Sequence, residues 1–102
     1  MTDEDPPEAP AKDEPAISAA MAARRAAAEV AELTHRDPES VISIERADGR
    51  WRIGVEVVET HRIPDSADIL AVYEVQLQPN GTLYSYHRVR RYARGQLYGG
   101  HQ

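Results

Sequence analysis

Three groups of residues in this chain could carry chemistry: four histidines, a set of glutamates on neighbouring candidate strands, and a run of tyrosines interleaved with arginines. The histidines are His35, His61, His87 and His101. None stands in an H-x-x-x-H or comparable ligand spacing, and the chain has no cysteine to complete a metal site or act as a thiol nucleophile. They read as solvent-facing or structural imidazoles, so neither a metal nor a cofactor is expected. Glu56, Glu59 and Glu74 could bring two carboxylates together across adjacent strands, as general acid–base catalysis requires. Arginines stand alongside them at Arg52, Arg62, Arg88 and Arg90, and cross-strand Glu–Arg pairs are the structural alternative. On that reading Trp51, Glu56, Glu59, Tyr73, Glu74 and Arg91 are core or ion-pair residues. Gly54, Gly95, Gly99 and Gly100 form neither standard phosphate-binding loop, and no nucleophile-elbow motif places a serine. No catalytic residue is assigned, and the expectation is a protein that is not an enzyme.

The third group runs from Tyr84 to Arg94, Y-S-Y-H-R-V-R-R-Y-A-R. On a sheet face, tyrosines stack on bases and guanidinium groups grip phosphates, so a single-stranded nucleic acid is one candidate partner. The RNP motif of an RNA-recognition domain is absent, and the domain as a whole is not basic. Tyrosine and arginine are also the favoured anchors of protein–protein interfaces. The candidate partner-binding residues are Arg62, Pro64, Asp68, Tyr84, Tyr86, Arg88, Arg90, Tyr92 and Arg94. Pairing of the arginines with Glu56 and Glu74 would instead make the strand's charges structural.

The elements that must position these residues follow from periodicity. Pro15 to about His35 is predicted as a helix, with Pro15 in its first turn, Asp13 and Glu14 at the positive end of its dipole, and Pro38 as its stop. At 100° per residue, Ala16, Ala20, Ala23, Ala27, Val30, Ala31 and Thr34 share one face, with Ile17, Met21, Val30 and Leu33 as the large anchors. Asp37-Pro38-Glu39-Ser40 is predicted as a turn. Val41 to Arg46 alternates as a strand, with Ile42 and Ile44 on one face, and Asp48-Gly49 is a tight hairpin signal. Trp51 to Thr60 and Ile69 to Gln78 are two further alternating strands, separated by a loop that Ile63-Pro64-Asp65 keeps out of the ladder. Pro79-Asn80-Gly81 turns the chain into a last strand, Thr82 to Tyr92. Its alternation puts Tyr84, Tyr86, Arg88, Arg90 and Tyr92 on one face. The fold class is therefore α+β: one N-terminal helix on a four-stranded antiparallel meander, in two layers. Trp51, Ile53, Val55, Val57, Tyr73, Val75 and Leu77 are the predicted core.

Charge divides the chain more sharply than its net −5 conveys. Residues 1–15 hold six acids against Lys12, whereas the rest balances acids with arginines. Residues 1–14 are thus expected to be a disordered, acidic, Pro-rich tail, 15–94 a single domain and 95–102 a flexible end. No apolar run approaches a membrane span, and the acidic N-terminus is the reverse of a signal peptide, so a cytoplasmic protein without membrane partners is expected.

Several segments together resemble a known family. They are W-R-I-G-V-E-V-V-E at Trp51–Glu59, R-I-P at Arg62–Pro64, D-I-L-A-V-Y-E-V at Asp68–Val75, N-G at Asn80-Gly81 and Y-x-R-x-x-R-Y-x-R at Tyr86–Arg94. In collinear order they are similar to the gas vesicle protein O (GvpO) family, over roughly Ala20 to Arg94. The resemblance implies a small accessory protein for gas vesicle formation that acts through contacts with other gas vesicle proteins, in the cytoplasm or on the vesicle. It does not imply an enzyme. The alternative is a regulator of gas vesicle gene expression that binds RNA or DNA through the Tyr/Arg strand. The matching residues Trp51, Glu56, Glu59, Arg62, Pro64, Asp68, Tyr73, Glu74, Tyr86, Arg88, Arg91, Tyr92 and Arg94 take binding or structural roles by that resemblance.

Overall fold

The computed structural model describes residues 15–95. The expected acidic tail 1–14, and all of the expected C-terminal tail except Gly95, lie outside the described residues. The elements are helix α1 (Ala19–Thr34), strands β1 (Asp37–Ala47) and β2 (Arg50–Thr60), a single 3-10 turn (Asp65–Ala67), and strands β3 (Ile69–Leu77) and β4 (Leu83–Ala93). The strands form one antiparallel sheet in the order β1-β2-β3-β4, and α1 packs on β1, β2 and β3. This is the α+β, helix-on-meander architecture that the periodicity predicts.

Helix α1 starts four residues later than predicted. Ser18 is its N-cap, accepting the Met21 N–H at 3.2 Å, so Pro15 lies outside the helix. A serine hydroxyl can satisfy an N–H that the first turn leaves without a partner, which a proline at the start cannot. The residues ahead of the cap are pinned elsewhere, since the Ile17 N–H donates to the Pro79 carbonyl at 2.9 Å. The helix ends where His35 adopts a left-handed conformation (φ 59°) and donates its N–H to Ala31. Its buried stripe is Ala22, Ala26 and Val30, not the face centred on Ala20, Ala23 and Ala27. Met21 and Leu33, predicted anchors, are exposed. An alanine-rich helix has little side-chain contrast from which to read its orientation. The small Ala22 and Ala26 seat the helix backbone close to the sheet.

In the sheet, Trp51 faces Leu77, Ile53 faces Val75, Val55 faces Tyr73 and Val57 faces Ala71, and these residues build the core under α1. All the predicted core residues are buried except Tyr73, which is half-buried against it. Val58, Leu70 and Val72 are buried too, on the opposite, outer face of the two central strands. Both hairpins use the expected residues: Asp48 and Gly49 have φ of 56° and 75°, and Gly81 has φ of 98°.

Two expectations about the edge strands are overturned. Asp37 to Ser40 is not a turn but the first rungs of β1, with Asp37 opposite Val58 and Pro38 opposite Val57. An edge strand tolerates a proline because its outward N–H needs no partner. Bulges also break the alternation, at Glu39 and Ile42 in β1 and at Tyr84 and Val89 in β4. Ile44 lies opposite Ile53 on the helix side, but Ile42 turns to the outer face beside Gly54. A Cβ on Gly54 would stand 2.6 Å from the Ser43 hydroxyl and 3.2 Å from an Ile42 side-chain carbon, so a larger residue here makes both side chains give way. In β4, Tyr86 and Arg88 lie opposite Val75 and Tyr73 on the helix side, while Arg90 and Tyr92 lie opposite Val72 and Leu70 on the outer side. The single Tyr/Arg face predicted for the last strand is split in two.

Candidate functional site

The loop between β2 and β3 is organised by Asp68, which is 2% exposed. Its carboxylate accepts the Arg62 backbone N–H at 2.7 Å and an Arg94 guanidinium N–H at 3.2 Å, with His61 Nδ1 at 3.7 Å. Its carbonyl accepts the Arg94 backbone N–H at 2.8 Å. The Arg62 hydrogen bond, with the charge of Arg94 behind it, holds the Asp68 carboxyl below its ordinary range despite burial. Arg94 also reaches the first strand, donating to both carboxylate oxygens of Glu39 at 3.0 and 3.4 Å. These two carboxylates raise the Arg94 pKa further above its usual value. Pro64 follows a cis peptide at the loop tip, where Ile63 is 99% exposed.

Two glutamates on β2 take different partners. Glu59 is almost fully covered and receives Arg88 at 2.9 Å and Arg91 at 2.5 Å, while Arg36 binds its backbone carbonyl. Desolvation pushes its pKa up, but the hydrogen bonds from Arg91 and Arg88 outweigh it and leave the group below its ordinary value. Glu56, on the outer face, accepts the Tyr92 hydroxyl. Burial, and then the nearby Glu39, push its pKa up against the pull of Arg94 and Arg90. Glu74 pairs with Arg52 at 3.6 Å, and Arg52 also reaches Glu45 at 3.8 Å. The two carboxylates of β2 therefore face opposite ways, each with its own partner, and do not converge on a common point as an acid–base pair would. Among the described residues no three His, Asp or Glu side chains gather as a metal site needs. No helix among them is long and apolar enough to cross a membrane.

Several side chains of β4 are open to solvent. Tyr84 is 52% exposed with the Arg50 guanidinium 3.8 Å from its ring centroid. Tyr86, also exposed, lies 6.1 Å from Tyr73, centroid to centroid, at the margin of the helix layer. Val89, at the second bulge, is 50% exposed. Arg90 stacks on Tyr92 at 5.3 Å. Of the nine candidate binding residues, Asp68 and Arg94 lie in the buried clamp and Arg88 in the Glu59 cluster. Tyr84, Tyr86 and Arg90 face solvent, as do Arg62 and Pro64 on the loop. Tyr92 is half-buried. Sequence reading did not single out Glu39, Arg50 or Val89. Glu39 sits in what reads as a turn, and Val89 in what reads as the other face of an uninterrupted strand.

Comparison with known proteins gives a consistent result. The family model described as "Gas vesicle synthesis protein GvpO" matches residues 5–98. A "Gas vesicle protein O" of Streptomyces sp. (strain CB03234) is 51% identical over 72 residues, covering 71% of this chain and 56% of that protein, so the chain spans little more than half of that relative. A "Gas vesicle protein O" of Haloferax mediterranei is 36% identical over 105 residues, covering 94% of this chain and 75% of the relative. "Gas vesicle protein O1" of Halobacterium salinarum is 34% identical over 98 residues, covering 93% and 82%. No solved structure matches the chain.

Proposed function

The chain belongs to the gas vesicle protein O family, and we propose that it serves gas vesicle formation as a non-enzymatic accessory protein that works by binding other gas vesicle proteins. The observation that carries this reading is the exposure of Tyr84, Tyr86 and Val89 along an edge strand beside a helix that packs on the other three. Aromatic side chains on a rigid strand bury large areas at small entropic cost, as interface anchors do. The Arg62–Asp68 loop, braced by Asp68, presents Ile63 as a second contact. The place of action on this reading is the cytoplasm, at the growing vesicle.

The nucleic-acid alternative needs free guanidinium groups along the strand. Arg88 and Arg91 are engaged by Glu59, and Arg94 by Asp68 and Glu39, which leaves Arg90 as the strand's one arginine without a carboxylate ion pair among the described residues. That distribution favours a protein partner. Affinity capture with the chain as bait, against the proteins encoded in the same gas vesicle cluster, tests the proposal. Enrichment of at least one of them is expected, and it should be lost with Tyr86→Ala/Val89→Asp bait. Failure to enrich any, with salt-sensitive binding to RNA or DNA instead, would replace it with the regulator reading.

A further inference from the structure

We propose that the end of the sheet carrying the two hairpin turns docks a short acidic segment of a partner protein, gripping its carboxylates with Arg25, Arg46 and Arg50. The register brings the turns together: Trp51 stands opposite Leu77 and Leu77 opposite Leu83, so Asp48-Gly49 and Gly81 close the same end of the sheet. Helix α1 starts at that end too, because the Ile17 N–H just ahead of it donates to the Pro79 carbonyl.

Each of these arginines is positioned without a carboxylate. The Arg46 guanidinium lies over the Trp51 ring, 4.8 Å from its centroid, and that of Arg50 over the Tyr84 ring at 3.8 Å. Arg50 Nε also donates to Gln76 Oε1 at 3.2 Å. Arg25 reaches the second turn, with a guanidinium nitrogen 3.9 Å from where a Cβ on Gly81 would stand. None of them makes an ion pair among the described residues, and neither does Asp48, the acid of the first turn. At the other end of the sheet Glu59 answers Arg88 and Arg91, and Asp68 and Glu39 answer Arg94. Stacking on an aromatic face fixes a guanidinium and leaves N–H groups at its edge, which suits a planar carboxylate taken two N–H groups at a time. The net charge of −5 opposes a long polyanion such as nucleic acid, whereas a short acidic segment feels chiefly the arginines within a screening length of it. Tyr84 is the only residue this surface shares with the contact proposed for β4, and loss of capture through Tyr86 and Val89 would leave it standing.

Trp51 is the chain's only tryptophan and lies under Arg46, so its emission reports on this surface. The full chain, isotope-labelled for NMR, is titrated with octaglutamate, with octaglutamine and with an oligothymidylate of comparable charge. Octaglutamate is expected to shift the Trp51 emission and the backbone amides of Gly49, Arg50, Gly81 and Thr82, and octaglutamine to shift neither. The response should vanish in about 1 M salt, where the screening length falls to roughly 3 Å. Arg46→Gln and Arg50→Gln should each weaken octaglutamate binding about two- to five-fold at low salt, as loss of one exposed ion pair does. Failure of octaglutamate to shift these signals, or an equal response to octaglutamine, overturns the proposal. Shifts centred on Arg62 and Arg90 overturn it too, because any free arginine would then suffice. Tighter binding of the oligothymidylate replaces it with a phosphate-binding surface. These outcomes are read on the unsubstituted chain, so they stand whether or not the variants fold.

Discussion

Glu56 and Glu59 lie three residues apart on one strand, yet their side chains leave opposite faces of the sheet and their pKa values move in opposite directions. Glu59 ends between two guanidinium groups and Glu56 against a tyrosine hydroxyl. The pH dependence of stability should separate them. A carboxylate with a depressed folded pKa stabilises the protein above its unfolded value, near 4.5 for glutamate, and that contribution fades as pH falls through the folded value. Glu59→Gln is therefore expected to lower the Tm at pH 7 and to flatten the acid limb of the Tm–pH curve.

Glu56 carries the opposite sign. Its folded pKa lies above 4.5, so its favourable contribution belongs to the protonated form and is lost as pH rises through that folded value. Glu56→Gln, neutral at every pH and still able to accept the Tyr92 hydrogen bond, should match or exceed the wild-type Tm at pH 7. A fall as large as that of Glu59→Gln would show that the Glu56 charge is held favourably after all. Thermal melts from pH 3 to 8 on the two variants decide it.

The start of α1 gives a local test. Ser18→Ala removes the cap and should cost about 1 kcal/mol in urea unfolding. Pro15→Ala, outside the helix, should stay within about 0.5 kcal/mol, as surface substitutions away from special features do. The reverse order would mean that the helix begins at the proline.

The core test is Ile53→Ala. Ile53 is fully buried under α1 and opposite Val75, and its truncation should cost about 2–5 kcal/mol. Gly54→Val, next to it on the outer face, should be strongly destabilising for a different reason, since its new Cβ would overlap Ser43 and Ile42. Adding Ser43→Gly should recover part of that loss.

The exposed anchors of β4 should behave in the contrary way. Tyr84→Ala and Val89→Asp should weaken capture of a gas vesicle partner while changing unfolding free energy by no more than about 0.5 kcal/mol. Calorimetry or pulldown beside denaturant melts reads both. Unfolding in place of lost binding would make these residues part of the sheet's own support.

The central strands were legible because a long period-two pattern admits few alternatives. Trp51 to Val57 and Tyr73 to Leu77 fall where alternation places them, and Asp48-Gly49 and Gly81 turn the chain where turn chemistry requires. The edges were less legible. Pro38 and its acidic neighbours have the composition of a turn, and only a partner strand makes them a ladder. Each bulge in β4 shifts the side chains beyond it by one position, and nothing local in Tyr84 or Val89 announces the extra residue. Asp68 has the composition of an exposed loop residue. One of the two hydrogen-bond partners of its carboxylate, Arg62, is near in sequence, but the other, Arg94, is distant, and no window around Asp68 contains it.

Arg94 has a further bearing on how the domain is made. Its guanidinium joins Glu39, 55 residues earlier, to Asp68, and so ties the first strand to the end of the last. A protein emerging from the ribosome N-terminus first cannot close this tie until the stretch around residue 94 has cleared the exit tunnel. Contacts this distant in sequence are the slow ones to form. Until then Glu39 of β1 and Asp68, just ahead of β3, lack the guanidinium that joins them. The nascent chain should remain sensitive to protease until the stretch around residue 94 stands outside the tunnel, and become resistant only after that.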